Sequence, residues 1–393
     1  MMKILKIAFC VLVFTLLALP MLSLLGWKED WVSLAGWERK TSVPELTLGH
    51  FTNRTFQTAF TEDFSKRFYL RRTFLRTAYE LRDWANFGQF HYGYANSILE
   101  GRDGVLFERP YADYHLTCPR PGGAAKYAEV LKTLDEVNAF CSSNGVDFVC
   151  LLMPDKLQLY PEYLPRWLGW LWDYSNYDPQ RELAELLEAR GIKAFDLNRY
   201  LLSRKGTWKT WVYPPGGTHF NAYGSGLIYN GFLERYVDTG VLTFKANRFK
   251  GVEPIRETWS VDDDIGLLLN TWRLPHVARN PHYRPVFTPA ETTNMVMNAG
   301  SLVLFGDCYR GQTAQIFKDA KFFAPEKICQ AQRFGEQTAE GFRHVAGDLR
   351  MVLMTFQSFN TGCLDERNEE IRGIFAALKK AYEAAHGGPP SSR

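Results

Sequence analysis

At 393 residues, with 46% hydrophobic and 23% charged residues, the chain has room for two average domains or one large α/β domain around a real core. A net charge of +3, with no long basic block, is too small to imply nucleic acid or an acidic polymer as a partner. Seven cysteines show neither a CxxC pair nor a zinc spacing, so a metal centre and a dense disulfide framework are not expected.

Ile7 to Trp27 is an almost uninterrupted apolar stretch, roughly the twenty residues that one membrane-spanning helix needs. Lys3 and Lys6 precede it, and Glu29 and Asp30 follow. That bias puts the short N-terminus in the cytoplasm and the rest of the chain outside it. Ser23-Leu24-Leu25-Gly26 is a poor cleavage site, so residues 1–27 are expected to be an uncleaved anchor rather than a signal peptide. Cys118, Cys141, Cys150, Cys308, Cys329 and Cys363 would then face an oxidising compartment.

Residues 28–98 read as a stalk and a helical segment. Trp27, Trp31 and Trp37 suit a membrane interface, and from Phe56 to about Phe87 apolar residues (Phe60, Phe64, Phe68, Phe74, Leu81) recur at helical spacing. Gly101 to Phe107 reads as a turn running into a strand. Alternating signals follow: a helix over 124–143, a strand over 146–153, a helix over 179–190 and a strand over 192–197. Beyond these come a helix over 222–236, a strand over 300–305, a strand over 352–356 and an amphipathic helix over 366–386. Such alternation predicts an open, mostly parallel sheet covered on both faces, over 99–386. Residues 240–298 lack a period and read as an insertion, and 387–393 as a disordered tail.

Two segments carry chemistry. Leu302-Val303-Leu304-Phe305 is a buried-strand pattern that Gly306 bends sharply, delivering Cys308 at a strand end, where reactive groups of an open α/β sheet gather. Roughly ninety residues earlier, Gly217-Thr218-His219-Phe220-Asn221 places a histidine in a turn before a helix. Cys308 as nucleophile and His219 as base make an acyl-transfer pair. The turn residues Gly306, Asp307, Tyr309 and Arg310 are candidates for oxyanion or substrate contacts, with backbone N–H groups of Gly306 and Cys308 as donors. Lys156, after the strand ending at Met153, lies on the same sheet edge and is a candidate to position substrate or neutralise charge. A buried structural cysteine and a histidine satisfied in its own turn are the plain alternatives. His276 and His282 have no ligand spacing. The chain has no GxGxxG, Walker or GxSxG segment, so neither a metal nor a nucleotide cofactor is expected.

The ordered set of segments resembles the alginate O-acetyltransferases of the AlgX/AlgJ type, relatives of the SGNH hydrolases. Asn53 to Gln57 with the Phe/Arg-rich helix, Gly101 to Tyr114 (GRDGVLFERPYADY) and Met153 to Pro165 (MPDKLQLYPEYLP) are similar to that family's segments in the same order. The resemblance implies an SGNH-like (flavodoxin-like) three-layer sandwich with a mostly parallel sheet. In the family, a D-T-H-W segment supplies acid and base, and a later G-(D/T)-S turn the serine. Here Thr218-His219 matches the base, Phe220 stands for the tryptophan, Gly217 for the acid and Cys308 for the serine.

Cysteine for serine leaves a nucleophile that needs less help from a base. Asp196, Asp307 or one of Asp262, Asp263 and Asp264 is a candidate replacement acid, although the aspartate triplet reads more simply as a helix N-cap. The resemblance implies a polysaccharide O-acetyltransferase of the bacterial inner membrane, single-pass, with its globular part in the periplasm or outside the cell. It implies an exopolysaccharide substrate and a multi-spanning acyltransferase partner as acyl donor. A non-catalytic polysaccharide-binding or scaffold descendant is the alternative, and a thiol esterase a third.

Overall fold

The computed structural model describes residues 2–34, 42–85, 98–117, 127–169, 179–255, 262, 264–269, 272, 282–290, 295, 297–331, 339–357 and 367–387. Trp37, Phe87, Cys118, Asp263, His276, Cys363 and the tail from Gly388 onward lie outside the described residues. Contacts divide the chain into two units: Met1–Leu99 with Ile265–Pro275, and Glu100–Asp264 with His276–Arg393.

In the first unit, the helix Met2–Ala18 runs into a 3-10 turn, Leu19–Leu25. Lys3–Leu25 is long and apolar enough to cross a membrane, which fits an anchor and a signal sequence alike. The helical period expected to run through Phe68 is broken there. Leu70 has φ +63°, and the segment folds as two helices, Thr55–Arg67 and Arg71–Ala85. The buried Glu29 carboxylate accepts hydrogen bonds from the backbone N–H groups of Arg72 (2.8 Å) and Thr73 (3.0 Å). An anion thus sits at the positive end of the second helix.

Nine strands occur among the described residues: β1 (Ile98–Glu100), β2 (Leu106–Glu108), β3 (Asp147–Met153), β4 (Lys193–Asp196), β5 (Arg248–Ile255), β6 (His282–Thr288), β7 (Ser301–Gly306), β8 (Ile328–Gln330) and β9 (Leu349–Gln357). Five of them form the sheet of the second unit, in the order β4-β3-β9-β7-β8, with every pairing parallel. Six of the seven β3 residues are buried, as a strand covered on both faces requires. Phe148, Cys150 and Leu152, Val303 and Phe305, and Val352, Met354 and Phe356 point to one face. There they pack with Val130, Leu134, Leu183, Phe342 and Leu378 from four helices. The helices Leu197–Ser203 and Arg310–Asp319 contact β3 and β7 in turn. This is the SGNH-like α/β arrangement.

Part of the segment read as an insertion is a two-stranded antiparallel ribbon, in which β5 pairs with β6. The parallel strands β3, β9 and β7 end side by side, and their C-terminal ends carry the site.

Candidate active site

Three features fix Cys308. Gly306 has φ +123°, and a Cβ there would lie 2.2 Å from the Thr355 carbonyl oxygen of β9, so no other residue fits this bend. The Asp307 carboxylate then closes the turn. Its Oδ1 accepts from the backbone N–H of Tyr309 (3.0 Å) and from the Thr355 hydroxyl (2.8 Å). Finally, the Cys308 carbonyl accepts from Gly311 N–H (3.3 Å) as the helix Arg310–Asp319 begins. Cys308 therefore stands at the end of β7 beside a helix N-terminus, which favours negative charge developing there. Its sulfur is a free, partly exposed thiol; among the described residues Cys329 is also partly exposed, Cys10 is exposed, and Cys141 and Cys150 are buried free thiols.

His219 is held from both sides of its loop. Asn221 caps the helix Ala222–Phe232 by accepting from Gly224 N–H (2.9 Å) and donates from its amide to Trp211 O (2.7 Å). Phe220 packs between Tyr213 and Tyr309, with ring centroids 4.4 and 5.0 Å away. The Tyr309 hydroxyl donates to Thr218 O (2.9 Å), tying the cysteine turn to the histidine turn.

The carboxylate beside His219 comes from far along the chain. Asp264, 45 residues after His219, places Oδ2 2.6 Å from His219 Nδ1, while its Oδ1 accepts the Thr218 backbone N–H (2.8 Å). The imidazole also hydrogen-bonds Cys308. With Nδ1 committed to Asp264, that bond falls to the other ring nitrogen. Burial opposes a charged imidazole, but the hydrogen bonds to Asp264 and Cys308 outweigh it and push His219 up to about 10. Cys308, His219 and Asp264 are thus joined in series, thiol to imidazole to carboxylate, the order that a nucleophile, base and acid would need.

Other sequence expectations fall elsewhere. Lys156, read as a substrate contact, is buried. Its ammonium donates to the carbonyls of Leu106 (2.8 Å), Pro214 (2.6 Å), Pro215 (2.6 Å) and Gly217 (3.0 Å). Four carbonyl dipoles occupy the charge, which braces the His219 loop. Asp307 and Tyr309 are likewise buried and consumed by the turn: the Tyr309 N–H is bonded to Asp307, and the Arg310 guanidinium donates to Asp307 O (2.9 Å). Asp196 caps the helix Leu197–Ser203 through Arg199 N–H (3.0 Å). Of the aspartate triplet, Asp262 is also no simple cap. It is buried, with Oδ2 2.8 Å from His282 Nδ1. Glu108 and Tyr111, inside the quoted GRDGVLFERPYADY segment but not singled out there, also border the site. Glu108 bonds Thr218 and Tyr111, and Tyr111 lies within the electrostatic reach of Cys308.

The family model described as "SGNH hydrolase-like domain, acetyltransferase AlgX" matches residues 98–314, more than half of the chain. The chain belongs to this family. The match spans β2, the histidine turn, Asp264 and the cysteine turn. Solved structures similar to it include the O-acetyltransferase domain of Pseudomonas putida AlgJ (16% identity, TM-score 0.44, covering 72% of this chain and 99% of that one). Pseudomonas aeruginosa AlgX is another (13%, TM-score 0.49, 77% and 71%), as is Bacillus cereus PatB1 (14%, TM-score 0.42, 67% and 96%). No curated protein sequence matches the chain.

Proposed function

We propose that the chain is a polysaccharide O-acetyltransferase that carries the acyl group on Cys308. The observation that supports this reading most is the His219 ring bridging Asp264 and the Cys308 thiol at the end of β7, within a domain of the AlgX family. In the first step, the sulfur adds to the carbonyl of an acyl ester while His219 holds the proton. The proton then passes to the departing alcohol, leaving an acetyl thioester. In the second, His219 takes the proton of a sugar hydroxyl, whose oxygen adds to the thioester carbonyl. The C–S bond breaks and the proton returns to sulfur. Asp264 orients the ring and stabilises its charged form in both steps. The Cys308 backbone N–H is a candidate oxyanion donor, since it belongs to the turn that presents the sulfur.

The apolar N-terminal helix supports a membrane-tethered protein with its globular part on the far side, supplied with acyl groups by a multi-spanning acyltransferase. The test uses the full chain in detergent with 4-nitrophenyl acetate and an oligosaccharide acceptor. Acetylated sugar is expected from wild type and not from Cys308→Ala or His219→Ala. Equal turnover in all three rejects the reading, and ester hydrolysis without any sugar product leaves a thiol esterase.

A further inference from the structure

A cavity of about 450 Å³ in the first unit takes no part in the acyl-transfer reading and lies where the apolar N-terminal segment ends. Its apolar lining comes from Leu24 and Trp27 at that end, and from Phe60, Phe64 and Phe68 on the helix Thr55–Arg67 and its C-cap. The three phenylalanine rings follow one another at centroid distances of 6.0 and 6.4 Å, a row at the i, i+4 spacing of one helix face. Five basic side chains also line the cavity, Lys28, Lys66, Arg67, Arg71 and Arg72, against three acidic ones, Glu29, Asp30 and Asp63.

The fold uses most of these charges itself. Glu29 accepts the N–H groups of Arg72 and Thr73, Asp63 pairs with Arg67, and Lys66 pairs with Glu62 (2.6 Å). Two cations remain for a ligand. The Arg72 guanidinium spends only Nη1, on the carbonyls of Glu29 and Val32 (both 2.9 Å), and keeps Nε and Nη2 as donors. Lys28 is exposed and has no hydrogen-bond or ion-pair partner among the described residues. Depth completes the setting. The 23 residues Lys3–Leu25 make at least about 35 Å of helix, against the ~30 Å hydrocarbon core of a bilayer. The end of the segment therefore reaches the headgroups, where Trp27 and Trp31, edge-to-face with Tyr69 at 5.5 and 6.0 Å, suit the interface. Aromatic rings with surplus cations at that depth match one amphiphile, a phosphodiester on an acylated glycerol.

We propose that this cavity binds one anionic phospholipid of the far leaflet, its phosphate on Lys28 and Arg72 and its acyl carbons against Trp27 and the phenylalanine row. A zwitterionic lipid brings its own ammonium to the same basic side chains and is held less tightly. The proposal rests on the reading of Lys3–Leu25 as a retained membrane span, and not on the chemistry of Cys308.

The test is native mass spectrometry of the full chain in detergent, titrated with dioleoylphosphatidylglycerol or dioleoylphosphatidylcholine. One phosphatidylglycerol should be retained about 30-fold more tightly than phosphatidylcholine, as two basic groups at a lipid surface provide. Lys28→Ala should weaken phosphatidylglycerol about fivefold and Lys28→Glu about 30-fold, with phosphatidylcholine unchanged. Because Lys28 has no partner to lose, neither change disturbs the fold. Lys132→Glu makes the same charge change on an exposed residue of the helix Ala128–Ser143 and should bind as wild type does. Equal affinity for the two lipids, or equal loss in Lys28→Glu and Lys132→Glu, overturns the proposal. So does displacement of the lipid by an equal concentration of glycerol 3-phosphate, which makes the cavity a site for a small phosphate. The same spectra give the mass of the chain. A mass that lacks the apolar segment identifies a cleaved signal sequence and overturns the reading beneath the proposal, and the proposal with it.

Discussion

Replacing Asp264 with asparagine swaps one oxygen for an amide and leaves the shape alone. Asparagine can keep its carbonyl oxygen on the Thr218 N–H, 2.8 Å away in the wild type, so the loop stays anchored. The change falls on the 2.6 Å contact with His219 Nδ1, where the amide is a donor and forces the ring proton onto the nitrogen that faces Cys308. That tautomer cannot accept the thiol proton. A hydrogen bond to a charged group contributes about 1.5–3 kcal/mol, and about 1.4 kcal/mol is one decade of rate. Acylation by 4-nitrophenyl acetate should therefore slow about 10- to 150-fold.

Stability carries a second signature of the same pair. A group whose folded pKa is raised stabilises the fold fully below its unfolded value, about 6.5 for histidine, and loses that contribution as pH rises through the folded one. For His219 the window runs from about pH 6.5 to about 10. The gap between wild type and Asp264→Asn in urea midpoint should be widest at and below pH 6.5 and close as pH approaches 10. Stopped-flow acylation and urea melts at several pH values measure both. An Asp264→Asn chain that acylates at the wild-type rate, with a pH-independent stability gap, refutes the assignment of Asp264 as the acid.

Three further outcomes follow from the site. Lys156→Met leaves four buried carbonyls without their shared donor and should destabilise the second unit by more than about 3 kcal/mol in urea melts. Cys308→Ser should still acylate, more slowly, because the Asp264 carboxylate already holds the imidazole. Its rate should fall at least about tenfold further than that of the thiol enzyme when Asp264→Asn is added, as a hydroxyl depends more on its base, and a double-mutant cycle measures the difference. His282→Ala removes the partner of buried Asp262, two residues before the acid, and should cost about 1–3 kcal/mol of stability while slowing acylation.

The sheet was legible because its strands are short, continuously apolar runs separated by amphipathic helices, and burial on both faces leaves little freedom in that pattern. The ribbon β5–β6 was not, since its half-exposed strands carry charges and prolines (Arg248, Glu253, Pro254, Arg284, Pro285) that blur any alternation. Leu70 broke an expected helix through a backbone angle that no side-chain period encodes. His219 and Cys308 stood out by their turns. The role of Asp264 did not, because three consecutive aspartates look alike until the tertiary fold brings one of them to an imidazole 45 residues away. Lys156 misled for a related reason. A lysine after a strand end reads as a ligand contact, whereas the carbonyls that absorb its charge come from two distant segments.

The most direct measurement is the covalent state of the sulfur during turnover. Full-length protein mixed with 4-nitrophenyl acetate, quenched in acid and digested, should yield the Cys308 peptide carrying one acetyl group that hydroxylamine removes. The same peptide should be bare after a chase with oligosaccharide acceptor. An unmodified Cys308 peptide at every time point, while ester continues to be consumed, contradicts the account.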